Sequence, residues 1–213
     1  MNKQTGFTLI ELAIVLVIIG LLLGGVLRGQ ELINSARVKS LTRDFQNIQV
    51  YLYTYQDRFK AIPGDDLNAN THTGGTVATT QGPTGNGQIG GEWDSTTATD
   101  ESYLFWQHVR LAGIAPGSTA VGTAAYLPLN TNGARMGIQR LNGMTEITSF
   151  TNGSFAICSD GILGRDALQI DTTLDDGNTA AGSVQAVVSG TAGVGVAVAA
   201  MVNTNQYTVC MAI

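Results

Sequence analysis

From Phe7 to Leu27 the chain is apolar at nearly every position, and from Val38 to Ile62 it is apolar only at intervals. Val38, Leu41, Phe45, Ile48, Leu52, Tyr55, Phe59 and Ile62 recur at spacings of three and four. That places all of them on one face of a helix. Lys39, Arg43, Asp44, Asp57 and Lys60 fall on the other faces. No proline occurs before Pro63-Gly64, which ends the pattern. The two stretches predict a single helix from Phe7 to about Lys60, about 80 Å long at a rise of ~1.5 Å per residue. A coiled-coil seam has nearly the same spacing. The favoured partner is a sheet, because a helix covering a sheet needs the same apolar stripe and a β-rich region follows.

Residues 65–99 are dominated by Gly, Thr, Asn and Asp and read as a long loop, stapled by Ile89 and Trp93. Loops of that length are usually functional or mobile. Asp100–Ala112 reads as a short helix, with Thr99 or Asp100 at its start and Gly113 at its end. Leu104, Phe105, His108, Val109 and Ala112 form its expected inner face, where His108 is a packed or hydrogen-bonded structural residue. Expected strands are Arg135–Leu141, Glu146–Phe150, Phe155–Cys158, Val184–Ser189, Val194–Val202 and Gln206–Ala212, separated by turns such as Asn142-Gly143 and Asn152-Gly153. Val184–Ser189 and Val194–Val202 are apolar enough to be central strands. Ala167–Leu174 reads as a second short helix, with Gly177 beyond its end. The fold class is α+β: a long N-terminal helix packed on an antiparallel sheet.

Glu11 changes the picture of the apolar run. A lone carboxylate at membrane depth costs roughly 2.5–3.5 kcal/mol on insertion scales, so its presence implies a use. The run is too long for an ordinary secretory signal core and is followed by Leu27-Arg28, not by a small-residue cleavage site. Gly6-Phe7-Thr8-Leu9-Ile10-Glu11, followed by an apolar helix, resembles the processing site of type IV pilins and of the pseudopilins of type II secretion. The firm resemblance covers about residues 1–62. Pro63-Gly64-Asp65-Asp66 and Leu174-Asp175-Asp176-Gly177 are similar to stretches of prepilin-like proteins, less specifically.

The resemblance implies a division into four parts. Residues 1–6 form a leader, 7–27 a transmembrane and filament-core helix, 28–62 the amphipathic half of the same helix, and 63–213 an exported domain with the long loop at 65–99. It implies that a prepilin peptidase cuts between Gly6 and Phe7 on the cytoplasmic side, and that the new N-terminal Phe7 is methylated. Phe7 of one subunit would then face Glu11 of the next in a filament. The implied partners are further copies of the chain, the prepilin peptidase, the inner-membrane assembly machinery and, before assembly, the lipid bilayer. The implied location is the bacterial inner membrane as a single-pass protein, then a surface pilus or a periplasmic pseudopilus. Flanking charges alone point to the other orientation, with Lys3 on one side and Arg28, Arg37 and Lys39 on the other; the motif decides in favour of the leader inside. One departure is the missing proline near Arg28, where many type IV pilins carry one. Gly20, Gly24, Gly25 and Gly29 have small-xxx-small spacings that permit close helix contact, and whether the helix loosens there stays open.

Composition adds limits. A net charge of −5 without any Lys/Arg cluster gives no footprint for nucleic acid. Only 13% of residues are charged and 27 are glycine, which suits an exported β-rich domain better than a cytosolic enzyme. Export would place Cys158 and Cys210 in an oxidising compartment, where a disulfide is favoured over two buried thiols. The histidines, His72 and His108, belong to no recognisable catalytic or zinc motif, so neither an enzyme nor a cofactor is expected. Two groups carry hard oxygen ligands: Asp65, Asp66, Asn68 and Asn70, and Asp171, Asp175, Asp176 and Asn178. Neither has EF-hand spacing, and Asp and Asn favour turns, so no metal is assigned. The favoured reading is a structural subunit of a type IV pilus-like filament. The alternatives are a pseudopilin of type II secretion and a membrane-anchored periplasmic binding domain or enzyme.

Overall fold

One helix dominates the fold. In the computed structural model, which describes residues 9–123 and 125–213, α1 runs unbroken over Leu9–Phe59, a length of 51 residues. The chain divides into two units, Met1–Lys39 and Ser40–Ile213, and α1 contributes to both. In the second unit Leu41, Phe45, Ile48, Leu52 and Tyr55 are fully buried, as the stripe predicts. Phe59 and Ile62 at its end are half-buried. Asp44 departs from the expected outward placement. It is half-buried beside a cavity of about 160 Å³ shared with Ile48, Tyr51, Trp106 and Met136, and burial pushes its carboxyl up to about 6.

The remaining elements are α2 (Ala69–His72), α3 (Glu101–Leu111), β1 (Met136–Arg140), β2 (Phe155–Leu163), α4 (Gly164–Leu174), β3 (Val184–Val188) and β4 (Gln206–Ala212), with a short 3-10 turn at Val198–Ala200. The strands form one antiparallel sheet in the order β1-β2-β4-β3. The fold is therefore α+β, a long N-terminal helix on a four-stranded antiparallel sheet. Strand alternation sorts the sheet into two faces. Ala156, Cys158, Val187 and Cys210 pack with Trp93, Met144 and Ile147. Met136, Ile138, Ile157 and Val209 point to the other face, where Met136 meets the cavity beside α1.

Three expectations about strands are corrected. Glu146–Phe150 forms no strand; only Ile147 pairs, through a single bridge to Gly193. Val194–Val202 forms none either, and Val194, Val198 and Val202 are exposed. Val184–Val188 lies at the sheet edge, not at its centre. The physical reason is shared: among the described residues, irregular segments occupy both outer edges of the sheet. The outer edge of β1 receives the 89–93 segment, through Arg140 N to Ile89 O at 2.7 Å and Trp93 N to Gln139 Oε1 at 2.6 Å. The outer edge of β3 receives Thr179 and Val196, through Ala186 N to Thr179 O at 3.0 Å and Val196 N to Ala186 O at 2.7 Å. Covered edges protect a sheet from pairing with other chains. A covered edge lets β3 be as apolar as a central strand, with Val184, Ala186 and Val187 buried.

β2 is longer than expected because it passes through a bulge where Asp160-Gly161 resembles a turn. The register shifts between Ser159 and Ile162. Gly161 takes a φ of +67°, and Asp160 Oδ1 accepts from Ser189 Oγ at 2.6 Å and Thr208 Oγ1 at 2.8 Å. A bulge of this kind re-aims side chains without ending the strand.

Candidate functional site

The first unit is described from Leu9 onward; Gly6 and Phe7 lie outside the described residues. Every residue from Leu9 to Arg28 is exposed. The most apolar 18-residue window of α1 has none of its residues buried, and α1 is long and apolar enough to cross a membrane. Such a surface is hydrophobic all round, which is the mark of a helix whose burial comes from its surroundings. Glu11 sits within it. A Cβ added at Gly20, Gly24, Gly25 or Gly29 would meet nothing within 4 Å. These glycines leave low ground on the helix surface, and the helix stays continuous through them.

In the second unit the segment after α1 is fixed by Pro63-Gly64-Asp65-Asp66. Tyr55 donates its hydroxyl to Asp66 Oδ2 at 2.7 Å, and His72 Nδ1 lies 2.7 Å from the same oxygen. The Asn68 amide donates to Asp66 Oδ1 at 2.8 Å. Burial pushes the Asp66 carboxyl up, but the hydrogen bonds from Tyr55, His72 and Asn68 hold it below the usual range. Asp65 accepts from three successive backbone amides, those of Gly85, Asn86 at 3.1 Å and Gly87 at 2.7 Å. The first acidic group is thus saturated by donors of the chain and serves as a clasp, tying α1 to the loop that follows. Gly64 has a φ of +91°, and a Cβ there would approach the Glu101 carbonyl oxygen to 2.2 Å. Only glycine allows that contact.

His108 has the structural role expected of it. Its Nδ1 accepts from the Gly64 amide at 2.9 Å, so its Nε2 carries the proton and donates to Thr76 O at 2.8 Å. Burial pushes its pKa down, which keeps the ring neutral. α3 is buried on more sides than its pattern suggests. Leu104, Phe105, His108 and Val109 are inside, and so are Tyr103, Trp106 and Arg110. Arg110 donates to the carbonyls of Pro116, Ser118 and Tyr126. Asp100 occupies the N-cap position, but its carboxylate takes the Ser95 hydroxyl at 2.6 Å instead of a helix amide. The 65–99 segment is therefore a packed cover over α3 and β1, with Ile89 and Trp93 buried as expected. The signal for this was the density of Asp, Thr and Gly, which sequence reading assigns only to turns.

Cys158 and Cys210 form a disulfide. They are directly opposed partners in the β2–β4 ladder, with Cα atoms 4.1 Å apart. The bond joins the two central strands and encloses 52 residues of separation. The second acidic group is different from the first. Asp171, Asp175 and Asp176 bring carboxylate oxygens within 4.8 Å of one another.

No curated protein matches the chain. A family model described as the prokaryotic N-terminal methylation motif matches residues 1–27. That segment contains Gly6, Phe7, Glu11 and most of the exposed apolar run. The N-terminus thus carries the signature of type IV pilins and pseudopilins, a motif that implies processing by a prepilin peptidase and assembly into a filament.

Proposed function

We propose that this chain is a structural subunit of a type IV pilus-like surface filament. The observation that carries the reading is the methylation motif at residues 1–27 on a helix whose apolar surface is exposed from Leu9 to Arg28. In this reading residues 1–6 are removed by hydrolysis of the Gly6–Phe7 bond, and Phe7 becomes the N-methylated terminus. Residues 7–27 hold the subunit in the inner membrane as a single span. Assembly then exchanges lipid contacts for helix contacts, which close approach at Gly20, Gly24, Gly25 and Gly29 favours. N-methylation leaves the terminal amine cationic. The amine of one Phe7 neutralises Glu11 of a neighbouring subunit, and a buried charge is tolerable when it is paired in this way. The disulfide-locked domain with both sheet edges covered suits a subunit exposed outside the cell. An unbroken helix without proline favours the second reading, a pseudopilin of type II secretion.

Glu11→Ala tests the role of the carboxylate. The substitution makes the span more apolar, so membrane insertion persists. Gly6 and Phe7 are untouched, so cleavage also persists. The expected result is processed protein in membranes and none in sheared filaments. Incorporation at the wild-type level would refute the pairing.

A further inference from the structure

The 89–93 segment lies along the outer edge of β1, held by Arg140 N to Ile89 O and by Trp93 N to Gln139 Oε1. Two carboxyl oxygens beside it, Oε1 of Glu101 and Oε2 of Glu146, are shut off from solvent and have no donor among the described residues. Buried polar atoms are nearly always satisfied, so both need an explanation. In each case the side chain is hydrogen-bonded to a second carboxyl. Glu101, 0% exposed, meets Asp65, and Glu146 meets Glu92. Two ionised carboxylates in contact repel, whereas two that share one proton bond to each other. The donor that each pair lacks is therefore a proton. Both pairs also grip the segment. Glu101 Oε2 accepts from the Gly90 amide at 2.6 Å, and the Ser102 amide donates to Gly90 O at 3.0 Å. Asp65 accepts from the amides of Gly85, Asn86 and Gly87 just ahead of it. Glu92 belongs to the segment itself.

We propose that residues 85–93 form a proton-held strap: one proton shared by Asp65 and Glu101, and one shared by Glu92 and Glu146, keep it on the edge of β1, and their loss releases it. The other charges facing the pairs do not replace the protons. Arg140 lies near both Glu92 and Glu101 and favours their ionised forms, while Asp94 adds a further negative charge beside Glu92. Burial outweighs Arg140 in both cases, and both carboxyls are pushed up to about 7. The closed strap thus holds protons that the open strap, with glutamates near 4.5, releases. Their contribution to closure is complete below 4.5 and is lost as pH rises through 7. Glu92 responds first, because it is exposed and lines a polar cavity of about 410 Å³ with Arg135, Gln139 and Arg140. Glu101 lies behind the strap and gives up its proton as the strap lifts. Opening then bares the backbone of β1 that Ile89 covers and removes one wall of the cavity.

The test follows amide hydrogen exchange, resolved to single residues, on the full chain in nonionic detergent at pH 6 and pH 8.5, with rates corrected for intrinsic chemical exchange. The amides of Gly90, Trp93 and Arg140 report on the strap. Those of Val209 and Met211, in β4 between β2 and β3, are the reference. In the wild type, protection of the strap reporters is expected to fall about tenfold for each proton lost, while the reference holds. Glu92→Gln, at an exposed position, carries an amide N–H where the proton sat. At pH 8.5 it should keep about tenfold more protection at Trp93 than the wild type. Glu101→Gln should do the same at Gly90; if it fails to fold, Glu92→Gln decides alone. Glu31→Gln, on α1 in the other unit, should follow the wild type. Equal protection of the wild-type reporters at the two pH values would overturn the proposal. So would a wild-type pH dependence in the folded glutamine variants, or an equal loss in β4, which would mean global unfolding instead of a lifted strap.

Discussion

Leu22 is 63% exposed and Leu52 is fully buried, although both are leucines within the same unbroken helix. Around Leu22 every position is exposed, and nearly every one is apolar. Around Leu52 one face is buried by the domain, and the exposed positions are mostly polar, Val50 and Tyr53 apart. A stripe with polar flanks tells a helix which side to bury. A helix without flanks has no such side and depends on lipid or on other helices. The difference teaches that the second stretch belongs to folding and the first to association.

Substitutions that separate stability from assembly put this contrast at risk. The largest stability effect is expected from the disulfide, which acts on the second unit alone. Replacing Cys158 and Cys210 together by Ser should cost about 4 kcal/mol by the chain-entropy argument. Chemical denaturation of the detergent-solubilised chain measures it; a loss below about 1 kcal/mol would show that the central strands need no bond between them.

Leu52→Ala sharpens the contrast directly. A buried leucine truncated to alanine costs roughly 2–5 kcal/mol, whereas Leu22→Ala should leave unfolding of the domain within about 0.5 kcal/mol of wild type. Equal losses at the two sites would erase the distinction. The same denaturation curves decide it.

A smaller effect concerns pH. Burial raises the Glu101 carboxyl, the Gly90 amide lowers it, and Asp65 raises it again, with the result at about 7. The folded chain therefore holds a proton that the unfolded chain releases above 4.5. That contribution is complete below 4.5 and is lost as pH rises through 7. Glu101→Gln carries an amide N–H where the proton sat, so its stability should fall less steeply between pH 5 and 7.5 than that of the wild type. Glu92 and Asp171, at about 7, titrate in the same range, so the slope should shrink but persist. An unchanged slope would remove Glu101 from the account.

The helices were largely legible because their signals are local. The stripe from Leu41 to Tyr55 and the apolar face of α3 rest on periodicity alone; both are buried as read except Ala112, which is half-buried at the end of α3. β1, β3 and β4 were legible from apolar runs between turn residues. Edges were not, because whether a strand finds a partner depends on what already occupies the neighbouring edge. Val196 therefore reaches the sheet through one bond to Ala186, and Ile147 pairs only with Gly193, outside the four strands. The expected strand Phe155–Cys158 stops short of Leu163 because the bulge at Asp160-Gly161 interrupts the apolar pattern. The two acidic groups looked alike in sequence. Only the fold shows that Asp65 and Asp66 are saturated by chain donors while Asp171 is orphaned. The N-terminal motif was legible outright, since its chemistry is written in consecutive residues.

The central claim is that the exposed apolar half of α1 is processed for assembly. The mass and fragment sequence of the N-terminal peptide, taken from sheared filaments of the native host, test it most directly. The account predicts a peptide beginning at Phe7 with a methyl group on its amine. A peptide beginning at Met1, or one beginning beyond Leu27, would contradict it.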